Sequence, residues 1–476
     1  MDDEARACAL AFVFREPATP GFGIISPSAV KSYLDILRLS WPLALGMVNN
    51  AVMQFADRAY LAGYSMAAFE SVLPASTLSW VFVGFFQAVV AYSGVFVAQY
   101  HGAGNPKMCA VSCRVASFIA LASGALVASL VPFANWILLR TAPSAELLEM
   151  EVEYCDIVLF GGFFVCAQMA AASYFTGRGR TRIVFWANLL GNLLNVALDP
   201  FLIFGWCGLP RLGIAGAAYA TVFSMAVQWL WLSACVFRDI RRDGGGETTE
   251  TPLRLVWRIL RFGVPSGAYN VLNLLSFTVF VFVTEKVGEL DFAVSNAVFT
   301  VNYLLYAPME GFAIGAQTLV GQARGRGDDA GAALAARRTV LLAAAVATAF
   351  AVAVLLLYRP VLSVFAPADP GQAERFLALG ARLFLLMGCW LVLDAVDTVL
   401  CGALRGAGDT KFVMWWMTFC AFGVWMPLVW VVSIAGCFTM PALWTTTVVY
   451  VAVLFVGSLV RWRRGRWKSI RLVERT

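Results

Sequence analysis

Twelve apolar stretches, each long enough to cross a bilayer as a helix, follow one another along the chain with only short polar segments between them. They occupy residues 36–61, 74–100, 115–139, 153–176, 183–205, 212–237, 256–284, 292–322, 339–366, 376–404, 412–436 and 440–460. About 20 apolar residues cross the hydrocarbon core as an α-helix. The 476 residues are therefore nearly filled by spans, which leaves no room for a separate soluble domain. The sequence predicts an all-α integral membrane protein of twelve transmembrane helices.

The composition excludes several classes of function. Charged residues make up 13% of the chain, against roughly 25% in soluble proteins. The single histidine, His101, argues against histidine-based metal or haem chemistry. The 11 cysteines lie mostly in apolar stretches without a CxxC pair, so we interpret them as packing residues. We expect no enzymatic activity, no cofactor and no nucleic-acid partner.

The two halves of the chain resemble each other. The polar segment 238–251 lies near the midpoint, and one constant shift along the sequence, the first shift, superposes Pro42 on Pro265 and Asn50 on Asn273. It also pairs Leu37, Arg38, Val97, Gln99, Gly102 and Gly104 with Leu260, Arg261, Val320, Gln322, Gly325 and Gly327. A slightly longer second shift superposes the glycine-rich turns that begin at Gly177 and Gly406. Because each repeat has an even number of helices, the two repeats have the same orientation in the membrane. This arrangement is known among secondary transporters, whose substrate binds between the repeats.

The distribution of basic residues predicts the topology. Of the 35 Lys and Arg residues, 28 fall on the side of the predicted membrane that carries both termini, so we expect both termini in the cytoplasm.

The start of the chain lacks the pattern of a cleaved signal peptide. We predict a plasma-membrane protein, in bacteria an inner-membrane protein. Its predicted parts are a tail (1–32), a first lobe (33–237), a linker (238–253), a second lobe (254–460) and a basic tail (461–476) that anchors at anionic headgroups.

Three polar residues of the first half lie at one predicted depth. A charged side chain inside a bilayer is costly, so each one is a functional candidate. Asp57, Asp199 and Thr221 are separated by nearly equal lengths of helix from the nearest basic residue on the predicted cytoplasmic side. At a rise of about 1.5 Å per residue, each lies about 26–28 Å from that side. The three side chains are therefore expected at the same level of the bundle.

The fifth stretch carries a polar stripe. Asn188, Asn192, Asn195 and Asp199 fall on one helical face, which must look into the bundle or a wet cavity. Together with Asp57 and Thr221, Asn195 and Asp199 offer the oxygen ligands that Na⁺ would need, and adjacent carboxylates could instead share a proton. The asparagines could also simply join helices. Arg58 could neutralise Asp57 or extend to the outer interface.

The second half has its own polar candidates. Asp394 and Asn273 are expected at one level near the midplane, and Asp397 shares the side of the helix that carries Asp394. Glu310 lies in a segment that Pro308 predicts to be bent and turned away from lipid. For the three acids a role in helix-to-helix hydrogen bonding is the alternative.

Several runs strongly resemble the multidrug and toxic compound extrusion (MATE) transporters. They are residues 177–182, 188–205, 212–221, 308–322 and 402–410, and the resemblance extends over about 33–460. It implies two six-helix bundles in a V shape, which export organic and often cationic compounds in exchange for Na⁺ or H⁺. Whether the chain is NorM-like or DinF-like stays open.

The resemblance also implies site residues. Asp57, Asn195, Asp199 and Thr221 match the first-lobe cation constellation, with Ala217 supplying a backbone carbonyl. Asn50 matches a polar position near the substrate cavity, where we also expect Asn188, Asn192 and Glu310. Asp394 matches the acid of a second-lobe site. Three positions depart from the family pattern, since Asn273 replaces a glutamate, Arg58 replaces a more usual Thr, and Asp397 stands where an amide is common.

We therefore predict a secondary antiporter whose partners are a small organic substrate, a coupling cation and the bilayer, and which acts as a monomer. Alternatives are an exporter of a specific metabolite or cofactor, a flippase for a lipid-linked precursor, a channel and a membrane enzyme. The flippase would need a basic central cavity, whereas the Lys and Arg residues fall almost entirely at the predicted membrane edges.

Overall fold

The computed structural model describes residues 33–142, 144–243, 248, 250–434 and 438–473. The described part is helical and contains no β-strand, so the predicted all-α fold is confirmed. The predicted amino-terminal tail lies outside the described residues. The first lobe consists of α1 (Tyr33–Tyr64), α2 (Met66–Ala91 and Ser93–Gly102), α3 (Pro106–Ser129, followed by Val131–Thr141), α4 (Ala145–Phe160 and Gly162–Gly177), α5 (Thr181–Phe204) and α6 (Ile214–Asp243).

The second lobe repeats this arrangement. It consists of α7 (Pro252–Glu285), α8 (Glu289–Arg326), α9 (Asp329–Leu356, followed by Tyr358–Ser363), α10 (Pro370–Ala407), α11 (Thr410–Thr418, a π-helical segment Phe419–Trp425, and Met426–Ile434) and α12 (Met440–Arg463). The helix ends differ from the predicted boundaries, because α6 continues to Asp243 and α12 to Arg463. Hydropathy marks where a helix leaves the membrane, whereas its backbone hydrogen bonds continue into polar sequence.

Two of the twelve helices have apolar stretches that are interrupted by polar residues. By length and composition, nine helices of the described residues could cross a membrane, or ten if the bent pair of α4 counts as one span. The two others are α1 and α8, whose apolar stretches are interrupted by residues such as Asn49 and Asn50 in α1 and Glu310 in α8. These two helices pack against each other at the boundary between the lobes.

The lobes are joined by a symmetric pair of hydrogen bonds. The side-chain amide of Gln99 in α2 donates to the carbonyl of Gly406 at 3.1 Å, and that of Gln322 in α8 donates to the carbonyl of Gly177 at 2.9 Å. The first shift superposes the two glutamines, and the second shift superposes the two glycines. Basic residues of both lobes lie at this end of the molecule. We therefore call it the basic end.

Glycine allows α2 and α8 to cross closely at the basic end. A Cβ atom on Gly102 would collide with the backbone of Gln322, and one on Gly325 would collide with the backbone of Gln99. The two crossing points are again related by the first shift. Close backbone approach between helices is the usual reason for small residues at such positions in membrane proteins.

The residues after α12 lie across the basic end. Arg324 of α8 donates to the carbonyls of Lys468 and Ile470 at 3.0 and 2.6 Å. Leu472 is only 1% exposed and belongs to a hydrophobic cluster formed mainly by first-lobe residues such as Val97 and Tyr100. We call residues 466–473 the C-terminal segment. It contacts both lobes, so it is an additional link between them.

Candidate functional site

Two carboxyl groups meet inside the first lobe. Asp57 lies in the last two turns of α1, and Asp199 lies in the last two turns of α5. Their side chains lie within hydrogen-bonding reach of each other. Asp199 is completely buried, and neither of its oxygens accepts a hydrogen bond from a described N–H or hydroxyl donor. Asp57 is half-buried. Two carboxylates in contact, one of them completely buried, need a proton or a cation between them, because their charges repel.

Polar groups from α5 and α6 complete this site. With the side-chain nitrogen of Asn195 donating to Asp57 Oδ1 at 2.9 Å, its side-chain oxygen accepts from the backbone N–H of Thr221 at 3.3 Å. The Thr221 hydroxyl donates to the carbonyl of Ala217 at 3.0 Å. The structure thus brings together the five first-lobe residues that the sequence singled out. We call Asp57, Asn195, Asp199, Ala217 and Thr221 the first-lobe acid site.

Tyr154 of α4 is a neighbour of this site that the sequence did not indicate. Its buried ring lies close enough to Asp57 and Asp199 for electrostatic interaction with both. It belongs to the aliphatic cluster that surrounds Ala217. No motif or spacing in the sequence marks it, since its position depends on the packing of α4 against α2 and α6.

Arg58 does not form part of the first-lobe acid site. Its side chain is exposed, and it forms no ion pair with Asp57 within the described part of the chain. Adjacent residues on a helix point about 100° apart, which accounts for their separation. Asp57 is therefore left to interact with Asp199 and Asn195.

The asparagine stripe of α5 joins helices. Asn192 donates to Asn50 Oδ1 of α1 at 2.7 Å, and Asn188 accepts from Gln168 of α4 at 3.2 Å. Buried amides in membrane proteins commonly hold neighbouring helices in this way. Asn188 also lines a cavity between the lobes, whereas Asn50 and Asn192 do not.

Two acids of the second lobe, Glu310 and Asp397, each accept a hydrogen bond on one oxygen, whereas Asp397 Oδ1 is buried without a partner among the described residues. Tyr306 donates to Glu310 at 2.9 Å, and its hydroxyl lies 3.0 Å from that of Thr398. Asp397 is buried and accepts from the Cys401 thiol at 3.6 Å.

Asp394 is the electrostatic neighbour of Glu310 and Asp397. Asn273, which the sequence placed at the level of Asp394, lies on an exposed surface of α7 and lines no part of the cavity between the lobes. Matching heights on two helices therefore do not imply contact. No group of three His, Cys, Asp or Glu residues among the described residues could hold a metal ion.

A cavity of about 270 Å³ lies between the lobes. It is lined by α1, α2, α4, α5, α7, α8 and α10, including the rings of Tyr92 and Tyr269. Only Glu310 and Arg405 are charged among the described residues that line it. The position of Arg405 in the sequence predicts a residue of the membrane edge. The structure places it in this cavity, because α8 and α2 enclose the end of α10 at the basic end.

Twelve helices in two repeats among the described residues, with acids inside both lobes and a cavity between them, have the architecture of a parallel-repeat membrane transporter. The model of the MatE family matches residues 42–201 and 265–431. The chain therefore belongs to the MatE family of multi-pass membrane transporters, as its motifs predict.

Two curated relatives are described as probable multidrug resistance proteins. A probable multidrug resistance protein NorM of Thermotoga maritima is 26% identical over 380 residues, which cover 79% of this chain and 80% of the relative. A protein with the same description from Bradyrhizobium diazoefficiens is 24% identical over 430 residues, 87% of this chain and 89% of its own.

Solved structures share the fold. An outward-facing multidrug resistance MATE transporter of the MOP superfamily superposes with a TM-score of 0.81 at 20% identity, covering 93% of this chain and 97% of its own. A MOP superfamily transporter of Pyrococcus furiosus, described as having a binding pocket of reverse polarity that suggests a different function, gives a TM-score of 0.79 at 20% identity, covering 92% and 97%.

Proposed function

We propose that this protein is a cation-coupled antiporter that exports small organic compounds, often cationic or aromatic, in exchange for Na⁺ or H⁺. The observation that carries the proposal is the contact between the Asp57 and Asp199 side chains in the first-lobe acid site. The oxygens of Asp57, Asn195, Asp199 and Thr221, with the carbonyl of Ala217, have the composition of a Na⁺ site. The two carboxyl groups suit a shared proton equally well.

The acid site is built where three first-lobe helices meet. A cation bound there removes the repulsion between Asp57 in α1 and Asp199 in α5, and its release restores that repulsion. The packing of α1 against α5 and α6 then depends on whether the cation is present. Coupling can be no larger than the difference in cation affinity between the two packings.

The charges also support a proposed membrane orientation. We propose that the basic end faces the cytoplasm of a plasma membrane, in bacteria the inner membrane, and that a monomer is the transporting unit. The distribution of Lys and Arg supports this orientation. The substrate then enters the cavity between the lobes when the basic end opens, and leaves on the opposite side.

Transport into proteoliposomes tests the proposal. Purified protein is reconstituted, a Na⁺ gradient or a pH gradient is imposed separately, and uptake of a fluorescent aromatic cation is followed. We expect one gradient to drive uptake and the Asp57→Asn and Asp199→Asn variants to lose the driven component. The matched control is Glu70→Gln, which removes an exposed acid of α2. Driven transport that persists in both Asn variants would refute the first-lobe mechanism.

Arg405 favours a second candidate, an exporter of a specific acidic metabolite or a flippase for a lipid-linked precursor. Such substrates require a cation in the cavity between the lobes, and Arg405 supplies one. The pocket described as reversed in polarity belongs to a structurally similar transporter. Against a purely anionic substrate stands Glu310, which lines the same cavity.

A further inference from the structure

The guanidinium of Arg405 is an unpaired charge in the cavity between the lobes. No carboxylate of the described residues forms an ion pair with it, and its buried Nε atom has no hydrogen-bond partner there. The Tyr92 hydroxyl donates to Arg405 at 2.9 Å, but to the backbone carbonyl, so this bond does not occupy the side chain. A guanidinium has five N–H donors in a planar fork suited to an anionic oxygen group.

Glu310 provides a charge of the opposite sign in the same cavity. One of its oxygens accepts from the Tyr306 hydroxyl at 2.9 Å, which fixes the orientation of the carboxylate. Glu310 and Arg405 interact electrostatically without direct ion pairing. The cavity therefore presents two fixed and separated charges, a pattern that matches a ligand with one group of each sign.

The walls of the cavity add aromatic surface. The Arg405 guanidinium lies over the Tyr269 ring at 5.4 Å, and the rings of Tyr92 and Phe185 line other parts of the wall. Stacking on tyrosine keeps a guanidinium in place while its in-plane donors remain available. A flat ring system could contact these side chains between the two charges.

We propose that the cavity selects amphoteric aromatic compounds, whose anionic oxygen group pairs with Arg405 and whose cationic group lies toward Glu310. The inference rests on the proposed transport function and specifies its substrate class. Arg405 is then a specificity-determining residue: a simple cation gains only the Glu310 interaction and leaves the guanidinium unpaired, whereas an amphoteric compound satisfies both charges.

A matched pair of dyes tests this assignment. A rhodamine with a free carboxylate is amphoteric, and its methyl ester is a cation with the same ring system. Fluorescence anisotropy in detergent measures the affinity of the purified protein for each, without any ion gradient. We expect the wild-type protein to bind the free acid more tightly. The Arg405→Gln variant should weaken binding of the acid by about tenfold or more, the loss of a charge-assisted bond, and change binding of the ester by less than about twofold.

Two further variants separate specificity from folding. Arg405→Lys keeps the charge but not the planar fork and should lose part of the preference for the acid. Arg382→Gln removes a second arginine of the same helix that lines no part of the cavity and should leave the preference unchanged. Equal effects of Arg405→Gln on both dyes, or failure of the wild-type protein to prefer the acid, would overturn the inference. Because no gradient is used, this result is independent of whether coupled transport succeeds in proteoliposomes.

Discussion

The two lobes have related helices but different surroundings for their acids. In the first lobe Asp57 and Asp199 contact each other, and no described N–H or hydroxyl group donates to Asp199. In the second lobe Glu310 accepts from Tyr306, and Asp397 accepts from Cys401. Each lobe has an acid that accepts a hydrogen bond and an acid oxygen without a donor, since Asn195 donates to Asp57 and Asp397 Oδ1 has no partner among the described residues. The difference is the direct contact between two carboxyl groups in the first lobe, which responds to a cation directly.

The packing around the acids also differs between the two lobes. Large rings fill the second lobe, where Trp390 stacks on Trp444 at 4.8 Å and Trp425 on Tyr450 at 4.7 Å. The buried members of the cluster around the first-lobe acid site are aliphatic, such as Ile203 and Val158, except for Tyr154. Interlocked aromatic rings leave few alternative packings. We therefore expect the first lobe to rearrange when a cation binds and the second lobe to move as a unit.

The largest expected effect compares one acid from each lobe. Asp199→Asn should reduce counter-ion flux per transported substrate by about 5- to 150-fold. This is the range of fold-changes to which typical coupling free energies correspond. Asp397→Asn should reduce it less than about threefold, because Asp397 already accepts from Cys401. Flux of radioactive Na⁺ or of protons, measured together with substrate flux in proteoliposomes, gives the ratio. A larger loss for Asp397→Asn would assign coupling to the second lobe.

The C-terminal segment gives the next largest effect. Leu472→Ala removes the buried contact of this segment with first-lobe residues and should open the basic end about thirtyfold more often, since truncating a buried leucine costs roughly 2 kcal/mol or more. A cysteine introduced by Thr176→Cys, which lines the cavity, reports opening through its rate of reaction with an impermeant maleimide.

The parent protein without Thr176→Cys provides the background rate for this measurement. Arg471→Gln, an exposed position next to Leu472, is the matched control and should not change the rate. An unchanged rate in Leu472→Ala would mean that the segment does not hold the lobes together.

The heights of polar residues could be predicted from the sequence, but their neighbours only in part. Counting residues along straight helices put Asp57, Asp199 and Thr221 at one level, and in the structure they belong to one site. The same count puts Asn273 level with Asp394, yet Asn273 is exposed on α7 and does not line the cavity. Helical rise fixes depth, whereas rotation about the axis and the choice of neighbouring helix depend on packing over the whole lobe.

Contacts between distant segments could not be predicted from the sequence. Arg405 was counted with the charges of the membrane edge, because nothing in its local sequence shows that the lobes enclose it. Gln99 and Gln322 are paired by the repeat, but their bonds to Gly406 and Gly177 depend on how the two repeats cross. Repeat matching identifies equivalent residues and leaves their partners undetermined.

A smaller effect is expected where the lobes are alike. Gln99→Leu and Gln322→Leu each remove one of the two equivalent hydrogen bonds at the basic end. Each should raise the rate of the maleimide reaction at Thr176→Cys about two- to tenfold, since a hydrogen bond contributes roughly 0.5–1.5 kcal/mol. The two rates should agree within about a factor of two. Gln54→Leu, at an exposed position of α1, is the control. Clearly unequal rates would show that one lobe dominates closure.

The smallest expected effect concerns Arg58, the basic neighbour of Asp57. Its side chain makes no ion pair with Asp57 in the described part of the chain, and charges separated by solvent contribute little. Arg58→Gln should therefore change coupled transport less than about twofold at any salt concentration. A loss as large as that of Asp199→Asn would mean that Arg58 moves onto Asp57 during the cycle. The cation at the first-lobe acid site would then compete with a residue of the protein itself, and the contrast between the lobes would have to include that arginine.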